Sequence, residues 1–183
     1  MIKNILIVKS TYYEDISKEL YKNALEIIGD HKKNHCVTNT YSVPGVFEIP
    51  AVISKHIEAY NGVIALGCVI KGKTPHFDFI SKATIDAIMK LSIEHQKPIG
   101  NGIITCLNKK QALVRSKTKG QEAAKAVLSV LKSFDNPPEW KIHLSLKITL
   151  ESLLYKKSTE NYLTKIAKPQ YFSSLPEEVC EAK

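Results

Sequence analysis

The sequence has a single arginine, Arg115, and a single tryptophan. Its four cysteines, Cys36, Cys68, Cys106 and Cys180, stand far apart and form no C-x-x-C pair. That spacing points away from a zinc site and from a disulfide framework. No apolar run approaches membrane-spanning length. The opening MIKNILIVKS carries too short an apolar run, and no small-residue cleavage pattern, for a signal peptide, so a cytoplasmic location is expected. The formal net charge is +8, and most of the excess falls within residues 1–135. Such charge attracts phosphorylated metabolites, nucleic acid or an anionic membrane surface. With one arginine and no basic stripe interleaved with aromatics, nucleic acid is the weaker choice. Small-molecule substrates are expected, with no nucleic acid and no membrane.

What is present is an alternation of short apolar runs and helical patterns. The 183 residues suit one domain, with room for an appendage. Ile5 to Val8 reads as a buried strand, and Ile16, Leu20, Ala24, Ile27 and Ile28 recur at helical spacing up to Gly29. His35 to Val43 is a less apolar strand, suited to a sheet edge. Pro44-Gly45 marks a sharp loop that exposes backbone groups, and a helix follows with Val52, Ile53, Ile57 and Tyr60. Glu48 near its start suits the helix dipole, which is explanation enough for a carboxylate there. Val63 to Ile70 is an unbroken apolar strand, as in a parallel sheet buried on both faces. Ile99 to Thr105 is the fourth strand. Ala112 to Arg115 is expected as a short helical turn. Thr118 is expected to open a separate last helix that carries Ala123, Ala124, Val127, Val130 and Leu131 on one face. Strands alternating with helices give a doubly wound α/β domain, residues 1–135.

Beyond Asn136-Pro137-Pro138 lies a C-terminal extension, residues 136–183. Trp140, Ile142, Leu144, Leu146, Ile148 and Leu150 alternate with polar residues, the period-two signature of a strand over 140–150. A helix over 151–167 is expected after it.

The chemistry concentrates between Lys71 and His76. Open α/β sheets bind ligands outside the carboxyl ends of their strands. Here Lys71-Gly72-Lys73-Thr74-Pro75-His76 joins the central strand to a helix carrying Phe77, Ile80, Ile85 and Ile88. Thr74 is expected as the N-cap and Pro75 as the first helical residue. A glycine, a helix start and two lysines make an anion site, with the His76 imidazole beside it. Read alone, the segment fits a tight turn with a solvated histidine equally well. Tyr12 and Tyr13, at the end of the first strand, suit core packing or the face of a flat ligand.

Taken together, these segments resemble the 6,7-dimethyl-8-ribityllumazine synthase family, the beta-chain family of riboflavin synthase. The resemblance is carried by Pro44-Gly45-Val46-Phe47-Glu48-Ile49-Pro50 and by Ala65-Leu66-Gly67-Cys68-Val69-Ile70-Lys71-Gly72-Lys73-Thr74-Pro75-His76-Phe77-Asp78. Pro98, Asn101-Gly102, Thr105, Arg115, Lys119-Gly120 and Glu122-Ala123-Ala124 extend it. It implies a flavodoxin-like three-layer sandwich with a four-stranded parallel sheet, assembled as pentamers or shells of pentamers with sites between subunits. It implies a transferase that condenses 5-amino-6-(D-ribitylamino)uracil with 3,4-dihydroxy-2-butanone 4-phosphate, with no cofactor and no metal. Carried over by position, His76 transfers protons, and Tyr12 stands for the family's usual stacking phenylalanine. Val46, Phe47, Glu48, Cys68, Val69 and Ile70 hold the uracil and ribityl chain. Lys73 and Thr74 contact phosphate and Arg115 adds a planar charged fork. Asn101 lies where a neighbouring subunit closes the site, and Lys119 reaches toward it.

Two departures stand out. Tyr13 replaces the family's common asparagine, and Ser116-Lys117-Thr118 is shorter than its usual glycine-containing loop. The alternative is a non-catalytic lumazine- or riboflavin-binding scaffold or store. A flavodoxin-type electron carrier would need a hydroxyl-rich phosphate loop, which Lys9-Ser10-Thr11-Tyr12 matches only faintly.

Overall fold

The computed structural model describes residues 2–29 and 36–135, together with Ser152. Along the chain run β1 (Lys3–Ser10), α1 (Glu14–Ile28), β2 (Cys36–Val43), α2 (Ile49–His56) with a 3-10 turn (Ile57–Ala59), β3 (Gly62–Ile70), α3 (His76–Glu94), β4 (Ile99–Cys106) and α4 (Lys109–Asp135). The four strands form one sheet in the order β2-β1-β3-β4, and every pairing is parallel. The chain steps outward from β1 to β2, then returns past β1 to β3. The carboxyl ends of β1 and β3 therefore flank the point where the winding reverses, the position at which open α/β sheets form a crevice.

The two inner strands explain why their sequences show no polar alternation. Ile5, Ile7, Ile64 and Leu66 pack with Ile16, Leu20, Ala24, Ala124 and Val127 of α1 and α4 on one face. Leu6, Val8, Val63 and Ala65 pack with Ile49, Ile53, Ile57 and Ile88 from α2, the 3-10 turn and α3 on the other. All eight of these inner-strand side chains are fully buried, each large one worth about 1.5–3 kcal/mol. The result is the three-layer α/β sandwich that the alternation predicts. β2 takes the sheet edge, and most of its middle residues are exposed, in keeping with its weaker apolar pattern.

Two helix boundaries differ from expectation. Helix α3 begins at His76 with Pro75 (φ −64°, ψ −3°) as its N-cap, so Thr74 lies one residue outside and does not cap. The expected turn at 112–115 and new helix at Thr118 are instead one continuous helix of 27 residues, Lys109–Asp135. No loop separates Arg115 from Lys119. The buried stripe Ala112, Ser116, Gly120, Ala123, Ala124, Val127 and Leu131 runs through at helical spacing, but its first half is made of small residues that carry little hydrophobic signal. Their smallness serves the crossing with α1. Asn23 Nδ2 donates to the Ser116 carbonyl at 3.1 Å, and a Cβ on Gly120 would sit 2.0 Å from the Leu20 carbonyl oxygen. The strand expected over 140–150 and the helix over 151–167 lie outside the described residues, Ser152 apart.

Gly120 yields a test of this crossing. Helix propensity favours alanine over glycine by about 1 kcal/mol, but the overlap is with a backbone oxygen that cannot rotate away. Gly120→Ala is expected to lower stability by about 1–3 kcal/mol, read from the urea unfolding midpoint. Unchanged or higher stability would show that α1 and α4 are not held this close.

Candidate active site

At the carboxyl ends of β1 and β3 the structure opens a cleft of about 460 Å³, lined by Tyr12, Tyr13, Pro44, Gly45, Val46, Phe47, Glu48, Cys68, Val69, Ile70, His76 and Ile80. Three segments build it. The first continues β1. The Thr11 amide donates to the Val43 carbonyl at 2.8 Å and its hydroxyl donates to the same oxygen at 3.2 Å, which fixes the step into Tyr12. The second is the hook from Pro44 to Glu48. The Gly45 amide donates to Glu48 Oε2 at 2.9 Å, and the Ile49 amide donates to the Val46 carbonyl at 3.2 Å. A Cβ on Gly45 would lie 2.9 Å from that carboxylate, so a larger residue there would push the Glu48 side chain aside. The third is the end of β3. Gly67 lets the hook settle on the strand, since a Cβ there would come within 2.6 Å of Val46 Cγ1.

His76, the first residue of α3, is exposed on the cleft wall, and Ile80 stands one helical turn further on. Among the described residues, no lysine or arginine lines the cleft. The titratable side chains there are Tyr12, Tyr13, Glu48, Cys68 and His76. Burial, followed by the neighbouring Cys106, pushes the Cys68 thiol up to about 12. Burial, then Tyr12, Cys68 and Cys106, raises Tyr13 against a smaller opposing pull from Lys109. Neither group supplies an anion near neutral pH. Glu48 is already bound to the Gly45 amide. His76 stands exposed beside these groups at the start of α3.

Of the residues expected at the site, the structure brings together Tyr12, Val46, Phe47, Glu48, Cys68, Val69, Ile70 and His76. It does not bring the others there. Lys73 and Thr74 are exposed in the segment before α3. Asn101 sits in β4, where its Oδ1 accepts the Ile103 amide at 3.0 Å. Arg115 Nη1 donates to the Thr105 carbonyl at 2.9 Å, in a separate depression with Asn108, Lys110, Gln111 and Val114. Lys119 Nζ lies 3.3 Å from Glu122 Oε2. Tyr13, Pro44, Gly45 and Ile80 line the cleft without having been assigned a role. The Pro-Gly pair was visible as a loop, and Ile80 could be found as the residue four after His76 on one helix face.

A cleft with two exposed rings, Tyr12 and Phe47, a wall of backbone from a tight hook, and a histidine at its rim suits a flat polar heterocycle. Among the described residues no three His, Cys, Asp or Glu side chains converge, and no helix is long and apolar enough to cross a membrane.

A family model described as 6,7-dimethyl-8-ribityllumazine synthase matches residues 3–135. Proteins of that name from three bacteria are similar to this chain. The one from Methylorubrum populi is 38% identical over 141 residues, covering 69% of this chain and 80% of the relative. That from Methylobacterium radiotolerans is 41% identical over 133 residues, covering 69% and 79%. That from Bartonella bacilliformis is 38% identical over 136 residues, covering 70% and 88%.

The buried thiol gives a pH prediction. Cys68 ionises near 9.0 when unperturbed and near 12 in the fold. Between those values the unfolded chain loses a proton that the folded one keeps. The contribution is thus whole below pH 9 and falls away as pH rises toward 12. Cys68→Ala, which has no thiol to titrate, is expected to lose stability less steeply over that window in urea titrations at stepped pH. Parallel slopes for the two proteins would contradict the assignment.

Proposed function

The chain belongs to the 6,7-dimethyl-8-ribityllumazine synthase family, and from that premise we propose how its cleft serves the family's reaction. The protein is a transferase of riboflavin biosynthesis. It condenses 5-amino-6-(D-ribitylamino)uracil with 3,4-dihydroxy-2-butanone 4-phosphate to give 6,7-dimethyl-8-ribityllumazine, phosphate and water. The observation that carries the assignment of roles is the meeting of Tyr12, the Val46–Glu48 backbone, Cys68–Ile70 and His76 around one cleft.

In this reading Tyr12 stacks on the pyrimidine, and the backbone of Val46, Phe47 and Glu48 reads its polar edge. Cys68, Val69 and Ile70 hold the ring and the ribityl chain, with the thiol neutral. The amine of the pyrimidine is already a nucleophile, so the protein's task is positioning and proton transfer. The amine attacks the ketone and water leaves as the imine forms. Phosphate is then expelled, and the second nitrogen closes the ring with loss of water. His76, exposed at the rim, moves protons between these steps.

The phosphate calls for cations, and none lines the cleft among the described residues. Lys73, Thr74, Asn101, Arg115 and Lys119 are the proposed complement, brought to the cleft when a second copy docks. Phe47, Phe79, Met89 and Ile93 are large apolar side chains left exposed, the kind of surface that association covers. We therefore propose a homopentamer, or an assembly of pentamers, with residues 1–135 as the catalytic domain and 136–183 as an extension. A cytoplasmic location is proposed because the buried Cys68 and Cys106 are free thiols, as suits a reducing compartment.

The test mixes the purified protein with both substrates, follows lumazine fluorescence and phosphate release, and subtracts the protein-free rate. A clear excess rate is expected, and His76→Ala is expected to lower it about 100-fold or more. A full rate in the variant would move proton transfer elsewhere. No excess rate, with tight riboflavin or lumazine binding, would make the protein a store.

A further inference from the structure

Tyr12, the ring assigned to stacking, is 74% exposed. An exposed aromatic side chain loses torsional freedom when a ligand settles on it, and that loss weakens binding unless the ring is already held. Its neighbour Tyr13 is placed differently. Tyr13 is the N-cap of α1, and its carbonyl accepts the Ser17 amide at 2.9 Å. The Ser17 hydroxyl in turn donates to the Ser10 carbonyl at the end of β1. The Tyr13 side chain is half-buried against the core shared by α1 and α4. Burial first, then the nearby Tyr12 and the two thiols, keeps its phenol neutral. The two ring centroids are 4.9 Å apart with planes inclined by 72°. That is the edge-to-face arrangement aromatic quadrupoles favour. Both rings line the same cleft.

We propose that Tyr13 is a positioning residue for heterocycle recognition: its anchored ring holds Tyr12 so that a face of Tyr12 is ready for a planar ligand. The inference rests on the family reading, which supplies the planar ligand. Tyr13 acts through Tyr12, so its effect belongs to binding of the pyrimidine and of the lumazine product. It does not belong to the butanone phosphate or to the proton-transfer steps.

The test is a double-mutant cycle of Tyr12→Ala, Tyr13→Ala and the double variant, with Tyr13→Phe as the conservative replacement. The readouts are kcat, KM for each substrate, and Kd for the lumazine by fluorescence titration. Tyr13→Ala is expected to raise the pyrimidine KM and the lumazine Kd about three- to tenfold, the worth of one edge-to-face pair. The butanone phosphate KM should not follow. Tyr13→Phe, which keeps the ring, should restore most of the affinity. On the Tyr12→Ala background, Tyr13→Ala should add nothing, because the ring it positions is gone. Wild-type turnover with additive losses, with Tyr13→Phe as weak as Tyr13→Ala, or with unchanged KM in Tyr13→Ala, would overturn this inference alone. A wild type that neither bound nor made the lumazine would overturn it together with the family reading.

Discussion

Ile5 to Val8 and Val63 to Leu66 are wholly out of water, in two adjacent parallel strands covered by helices on both faces. Strands so enclosed have no face left to offer a ligand. They meet solvent only at their ends, and at the carboxyl end the chain must turn outward into loops and helix starts. The reversal of winding between β1 and β3 leaves a gap there that no crossover fills. Burial of the sheet thus decides where a site can be. The Pro44–Glu48 hook, the Tyr12-Tyr13 step and the start of α3 decide what kind of site it is.

That division also separates two kinds of chemistry. The cleft wall within one chain is aromatic, aliphatic and backbone in character, with the Glu48 carboxylate held by the Gly45 amide and a histidine at the rim. The cations that would neutralise a phosphate stand on the loop before α3 and along α4. Keeping lysine and arginine off the wall favours a neutral ring, because a lysine beside it would need its own counter-charge or water. Docking of a second copy would join the two halves, and recognition of the ring would then be independent of recognition of the phosphate.

Much of this was legible in the residues, and the reasons differ by element. β1 and β3 were visible because doubly buried strands are uniformly apolar, and β2 because an edge strand is not. The eight cleft residues came from the resemblance to the family, carried over by position. Helix α4 was misread as two pieces because Ser116 and Gly120, which its crossing with α1 requires, look like a break in a hydrophobic pattern. Thr74 looked like a cap from residue type alone, but Pro75 occupies that position. The separation of Arg115 and Lys119 from the cleft was invisible because order along a chain does not reveal which residues meet in space. The Tyr12–Tyr13 ring pair was likewise beyond reach, since adjacency in sequence says nothing about interplanar angle.

The most direct check on the placement of the site is a crystal structure of the protein with 6,7-dimethyl-8-ribityllumazine bound. The account predicts the bicyclic ring against Tyr12 and the Val46–Glu48 backbone, with the ribityl chain along Cys68–Ile70 and His76 beside the ring. Lumazine in the depression beside Arg115, with the Tyr12 cleft empty, would contradict it.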